Sequence, residues 1–80
     1  MIYYPYMVSK NSAVIRGKLG SKLRKAREKS NLTQADVASK SDIHVNYYAR
    51  IERGEENPSF EILHRIVKVL KVKTSEILPF

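Results

Sequence analysis

No cysteine occurs among the 80 residues. A disulfide scaffold, a thiolate metal site and a cysteine nucleophile are therefore excluded, and the chain is compatible with a reducing cytoplasm. No apolar run approaches the ~20 residues needed to cross a bilayer. Residues 1–8, Met-Ile-Tyr-Tyr-Pro-Tyr-Met-Val, are apolar and aromatic, but they have no positive leading region and are interrupted by Pro5, which argues against a secretory signal. There is no Gly-rich phosphate loop, paired-carboxylate arrangement, His-metal spacing or Ser-His-Asp set, and only two histidines. The sequence thus offers no candidate catalytic residue, cofactor site or metal ligand set, and an enzyme is not expected. An RNA-binding β platform is not expected either, because Tyr3, Tyr4 and Tyr6 form too short and Pro-broken a cluster to carry one. Acidic residues are scarce: eight Asp and Glu stand against fifteen Lys and Arg, for a formal net charge of +7.

That imbalance favours a polyanionic partner. Its placement is more informative than its size, since eleven of the fifteen cations fall within residues 10–53. Eighty residues make one small domain. With 42% hydrophobic residues, a helical core is attainable without metal or disulfide.

The centre of the chain is Leu32 to Gly54, which reads as two short helices and a tight turn. Thr33 is a suitable N-cap and Asp36, three residues on, a capping-box partner; Val37 and Ala38 supply an inner face. Lys40-Ser41-Asp42 favours a turn. A second helix starts near His44 or Val45, with Tyr48 and Ile51 on its inner side and Val45, Asn46, Tyr47 and Arg50 left for the outer one. Gly54 suits the left-handed conformation that follows a helix end. Upstream, Val14 or Ile15 with Leu19, Leu23 and Ala26 recur at helical spacing, predicting a helix over about Ala13 to Ser30. Downstream, Pro58 belongs to a loop and Ser59 caps a helix whose apolar face comprises Phe60, Ile62, Leu63, Ile66, Val67, Val69 and Leu70. His64 is expected on its polar side. Thr74 is read as the cap of a last helix, Ser75 to Leu78. Residues 1–12 are read as an arm, with Asn11-Ser12 as a turn or capping signal. Such an arm either covers the domain or reaches a partner subunit or DNA.

Leu32-Thr33-Gln34, Val37-Ala38 and Ile51-Glu52-Arg53-Gly54 resemble the helix-turn-helix of the Cro/CI-type (XRE) DNA-binding regulators, and the likeness extends to Leu19-Gly20, Leu23, Arg27, Asn57-Pro58-Ser59 and the Leu63, Ile66, Leu70 ladder. The run His44 to Tyr47 and the small size are most similar to the controller proteins of restriction-modification systems. The resemblance implies an all-α, compact, five-helix lambda-repressor-like DNA-binding domain over residues 13–80. It also implies that Arg27 pairs with Glu52, where a planar guanidinium can hold a carboxylate by two parallel bonds and fix helix 1 to helix 3. Gly20 falls where the family places a glycine for close helix packing.

In this motif the second helix enters the major groove, where each base pair shows its own pattern of donors, acceptors and methyls. Arg50 suits guanine O6 and N7, Asn46 suits adenine N6 and N7, and Val45 suits a thymine methyl. Tyr47 either contacts DNA or packs on a neighbouring helix. The resemblance sets Gln34 against phosphate or an edge base, and Thr33 with the free N–H groups around it forms an anion site. Arg53 completes the clamp, and His44 is either a phosphate contact that strengthens on protonation or a residue of no special role. The function implied is sequence-specific regulation of transcription by a homodimer on an inverted repeat, joined through helices 4 and 5, with double-stranded DNA as partner, no membrane and no small-molecule ligand. The competing reading is an antitoxin or other protein-interaction module of the same fold.

Overall fold

The computed structural model describes residues 5–79, and side chains from residue 12 onward. Five helices follow in order: α1 Pro5–Lys29, α2 Gln34–Lys40, α3 Val45–Glu52, α4 Phe60–Leu70 and α5 Thr74–Ile77. Tyr3, Tyr4 and Phe80 lie outside the described residues, as does the side chain of Tyr6. Among the described residues no helix is long and apolar enough to cross a membrane.

The inner positions of all five helices converge on one core. Leu19 and Leu23 of α1, Val37 and Ala38 of α2, Tyr48 and Ile51 of α3, Ile66, Val67 and Leu70 of α4, and Ile77 of α5 are buried together. Ile15, not Val14, is the half-buried member of the first pair; Val14 stays exposed. Burying a side chain of this size contributes about 1.5–3 kcal/mol, which is why the period-3.6 pattern overrides the weak propensity of the intervening residues.

Local chemistry sets the helix ends. At α2 the Thr33 hydroxyl accepts from the Asp36 N–H at 3.0 Å while the Asp36 carboxylate accepts from the Thr33 N–H at 2.9 Å, a complete capping box. Ser59 caps α4 by accepting from the Ile62 N–H at 3.2 Å. Three C-termini close in the same way: Asn31, Asp42 and Gly54 take positive φ, and the next N–H reaches back to a carbonyl five residues earlier. The bonds are Leu32 to Arg27, Ile43 to Ala38 and Glu55 to Arg50. The middle of these is the turn between α2 and α3.

Four expectations need correction. α1 begins at Pro5, eight residues before Ala13, so Asn11-Ser12 is not its cap; proline is well suited to the first turn, and Asn or Ser in a helix costs only a few tenths of a kcal/mol. Thr74 is the first residue of α5 rather than its cap; that position belongs to Lys73, which makes no side-chain cap bond, and the helix stops at Ile77. Phe60 is 84% exposed. As the first residue of α4 it projects beyond the face that Ile66, Val67 and Leu70 bury. Last, the Asp36 and Thr33 N–H groups are spent inside the capping box, so the α2 N-terminus offers an anion fewer donors than expected.

Candidate nucleic-acid interface

α3 is held from behind by close backbone approach and by charge. A Cβ added at Gly20 would overlap the carbonyl oxygen of Glu52 and come within 2.6 Å of that of Ile51. Glycine at this place in α1 therefore lets the two helices touch backbone to backbone. Gly54, at φ 76°, turns the chain over Gly17, whose Cα an added Cβ would meet at 2.9 Å.

The charge clamp centres on Glu52. Arg27 donates from Nε to Oε2 at 2.7 Å and from Nη2 to Oε1 at 3.1 Å, and its Nη1 donates to the Leu32 carbonyl at 2.9 Å. Gln34 donates from Nε2 to Glu52 Oε1 at 3.0 Å. One carboxylate thus joins α1, the start of α2 and the end of α3. Burial alone would push the Glu52 carboxyl up, but the bonds from Arg27, with Gln34 adding to them, hold it below the usual carboxylate range. The same contact raises the Arg27 guanidinium against the opposing effect of burial. The Tyr48 hydroxyl is buried beside this cluster without a well-formed hydrogen bond, and burial pushes its ionisation far up. It stays a neutral phenol that fills space.

With Tyr48, Ile51 and Glu52 turned inward, the opposite side of α3 faces outward. His44, Val45, Asn46 and Arg53 are exposed, and Tyr47 and Arg50 are half-buried. Ala49, absent from the residues the sequence singles out, shares that face, three residues after Asn46 and four before Arg53, and is half-buried; helical spacing alone is the signal that places it there. A small residue between two long polar ones leaves room for a base edge or thymine methyl to approach.

The N-cap of α3 is His44, whose Nδ1 accepts from the Asn46 N–H at 3.0 Å. In its capping form His44 carries its proton on Nε2, pointing away from the helix as a donor.

Neither outward arginine is unpaired. Arg50 donates from Nε to Glu56 at 2.9 Å, and its guanidinium carbon lies 5.9 Å from the centroid of the Tyr47 ring. Arg53 donates to Glu55 from Nε at 2.8 Å and from Nη2 at 3.3 Å, which lifts the Arg53 ionisation and lowers that of Glu55. Tyr47 packs on the core edge, the packing alternative left open for it. Gln34 is half-buried with one amide N–H committed to Glu52. Among the described residues no group of His, Asp or Glu is arranged to hold a metal ion.

A family model described as helix-turn-helix matches residues 23–77. The control protein C.BamHI of Bacillus amyloliquefaciens is 39% identical over 67 residues, covering 82% of this chain and 83% of that protein. The crystal structure of the restriction-modification controller protein C.AhdI from Aeromonas hydrophila superposes with a TM-score of 0.76 at 27% identity, covering 79% of this chain and 96% of that one. The controller protein C.Esp1396I, solved bound to a 25 base pair operator site, gives a TM-score of 0.70 at 31% identity, covering 76% of this chain and 80% of that one.

Proposed function

The chain belongs to the helix-turn-helix family of Cro/CI-type regulators, and from that premise we propose that it is a cytoplasmic, sequence-specific regulator of transcription, not an enzyme, whose α3 reads the major groove of an operator. The observation that carries the reading is the division of α3 into two sides. Tyr48, Ile51 and Glu52 fix it to the core, while Asn46, Ala49, Arg50 and Arg53 stand outward with Val45 and Tyr47 at the flanks. An α-helix fits the major groove, and this outward set combines a guanine-pairing arginine, an adenine-pairing asparagine and small apolar groups. Gln34 and the remaining N–H groups at the start of α2, His44 Nε2 and Arg53 surround it as contacts to the sugar-phosphate backbone, which set register rather than sequence.

A single helix reads only a few base pairs, so the active form is a homodimer on an inverted repeat with half-sites about one turn of DNA apart. The surface that supports dimerisation lies on α1, α4 and α5. Phe60, Leu63, Val67 and Leu78, with Ile15 and Leu19, line an apolar groove of about 400 Å³, and exposed apolar surface of this kind marks an interface.

Selection of bound duplexes from a random pool tests both parts. The expected product is a pair of inverted half-sites, and Arg50→Ala is expected to lose about 1–3 kcal/mol on the selected duplex while relaxing preference at one position. Equal loss on selected and random duplexes would remove Arg50 from the base-reading role. A tight heteropartner co-purifying from the source cell, with no duplex bound at low salt, would favour the antitoxin reading instead.

A further inference from the structure

Of the fifteen cations in the chain, four form a line along α1 that the proposed function leaves unused. Lys18, Lys22, Lys25 and Lys29 follow at intervals of four, three and four residues, and all are exposed. At about 3.6 residues per turn they fall within about 60° of one another, in a stripe about 16 Å long. The stripe lies about half a turn around α1 from Gly20 and Arg27, the residues that meet α3. It therefore stands on the side of α1 turned away from the recognition helix. Three of its members, with Lys71, line a groove of about 580 Å³ between α1 and the junction of α4 with α5, and half-buried Ala26 and Val72 give that groove apolar surface. Glu76 is the one carboxylate in its lining. The groove shares no lining residue with the apolar one proposed for dimerisation.

Helix stability does not account for the stripe. Among the described residues none of these five lysines has a carboxylate within ion-pair distance. Like charges three and four residues apart oppose a helix rather than support it, whereas on the next face of α1 Arg24 meets Glu28 at 3.5 Å. Lys29 and Lys71, at helix C-termini, gain from the helix dipole; Lys18, Lys22 and Lys25 do not.

We propose that this groove is a docking site for an acidic, amphipathic helix of a partner protein, separate from the surface of α3. The inference goes beyond the DNA-binding reading and does not depend on it. Charge complementarity names the partner: carboxylates at the same four-three-four repeat stand opposite the amines, and apolar side chains beside them meet Ala26 and Val72. A phosphate backbone gains nothing from that apolar surface. A second copy of the chain cannot supply the charge. Of its eight acidic residues, Glu28, Asp36, Glu52, Glu55 and Glu56 are held by their own neighbours, and Asp42, Glu61 and Glu76 form no run.

A labelled peptide of about 14 residues, with glutamates at the repeat of the stripe and leucines beside them, is titrated by fluorescence anisotropy. The proteins are wild type, Lys22→Gln/Lys25→Gln/Lys29→Gln and the charge-matched Arg24→Gln/Lys40→Gln/Arg65→Gln, each free and loaded with the selected operator duplex. Wild type is expected to bind with a Kd below about 1 mM. The lysine variant is expected to bind about 3- to 100-fold more weakly, since three exposed pairs count about 1.5- to 5-fold each. The charge-matched variant is expected to lose less than about twofold, and a peptide with glutamine for leucine to bind wild type at least about threefold more weakly. Operator is expected to leave the peptide in place. Equal loss in the two variants, equal binding of the two peptides, release of the peptide by operator, or no binding at about 1 mM would each overturn the docking site. So would a random duplex held by the operator-loaded protein through the same three lysines, which would give this face to nucleic acid. Wild type that binds the peptide but no duplex would leave the docking site standing and defeat the DNA-binding reading alone.

Discussion

Replacing Glu52 by glutamine keeps the side-chain volume and removes the charge, which isolates the electrostatic part of the clamp. Arg27 and Glu52 expose only 12% and 2% of their side chains, so water does little to rescue a lone partner. In wild type the carboxylate accepts three bonds, two from Arg27 and one from Gln34. Removing one member of a buried pair costs about 3–5 kcal/mol. The lower end applies here, because Arg27 keeps its bond to the Leu32 carbonyl and the oxygen of the introduced amide still accepts one bond. A domain of this length has a total stability of roughly 4–12 kcal/mol, so a loss of about 3 kcal/mol is a large share of the whole. Thermal unfolding followed by circular dichroism should then show a fall in Tm of about 12–24 °C. Arg27→Met alone should lose a similar amount, and the Arg27→Met/Glu52→Gln double variant should lose less than the sum by at least about 1 kcal/mol. A loss below about 1 kcal/mol for Glu52→Gln, or simple additivity in the double variant, would refute the reasoning. The pair would then be ornamental to stability, and α3 would be held by Tyr48 and Ile51 alone.

Two further outcomes follow from the same contacts. Gly20→Ala drives a Cβ into the carbonyls of Glu52 and Ile51 and should cost at least about 1–3 kcal/mol in urea unfolding; Gly17→Ala, with nothing within 4 Å of the added carbon, should be neutral or stabilising by up to about 1 kcal/mol. Equal effects at the two positions would mean that α1 and α3 are not in backbone contact. The folded-state carboxyls of Glu52 and Asp36 are both held low, so the stability they contribute is fully present above the ordinary carboxylate range and is lost as pH falls from about 4.5 through their lowered values. An acid titration of unfolding free energy should show that limb in wild type and a shallower one in Glu52→Gln; identical limbs would take Glu52 out of the account.

The ends of α2, α3 and α4 were legible in the chain where a cap is local chemistry. Thr33 with Asp36, Ser59 and Gly54 needed only their own side chains and the next few backbone groups. The start of α1 was misread because Asn11-Ser12 carries a capping composition inside a stretch that continues as helix. Phe60 was misassigned because periodicity places a residue on a face without saying whether anything lies opposite, and at the first turn of α4 nothing covers it. The pairing of Arg50 with Glu56 was hidden for a different reason. The two are six apart, a spacing that is not a helix neighbour, and they meet only because the chain reverses at Gly54. Gln34 likewise finds Glu52 eighteen residues away. Such partners depend on how α2 and α3 are set against each other, which no local pattern encodes.

The outer face of α3 has no independent existence. An isolated helix shorter than ~12–15 residues is marginal in water, and α3 has eight residues, of which Val45, Asn46, Tyr47 and Tyr48 are weak helix formers. Its geometry is imposed from four directions: the His44 Nδ1 bond starts it, Tyr48 and Ile51 anchor its inner side, Glu52 ties its end to Arg27, and Gly54 stops it over Gly17. Rigid support at both ends of so short an element leaves the outward residues little freedom beyond their own rotamers, and for Arg50 and Arg53 those rotamers are set by Glu56 and Glu55. A loop could present the same side chains, but it would have to order them on binding, at about 0.5–1.5 kcal/mol for each long side chain immobilised. Presenting Asn46, Ala49 and Arg50 on a helix fixed by the core meets most of that cost during folding, before any partner arrives. Substitutions at Gly20, Arg27 or Glu52, which lie behind α3, therefore reach its outward face through the same bonds that hold the fold.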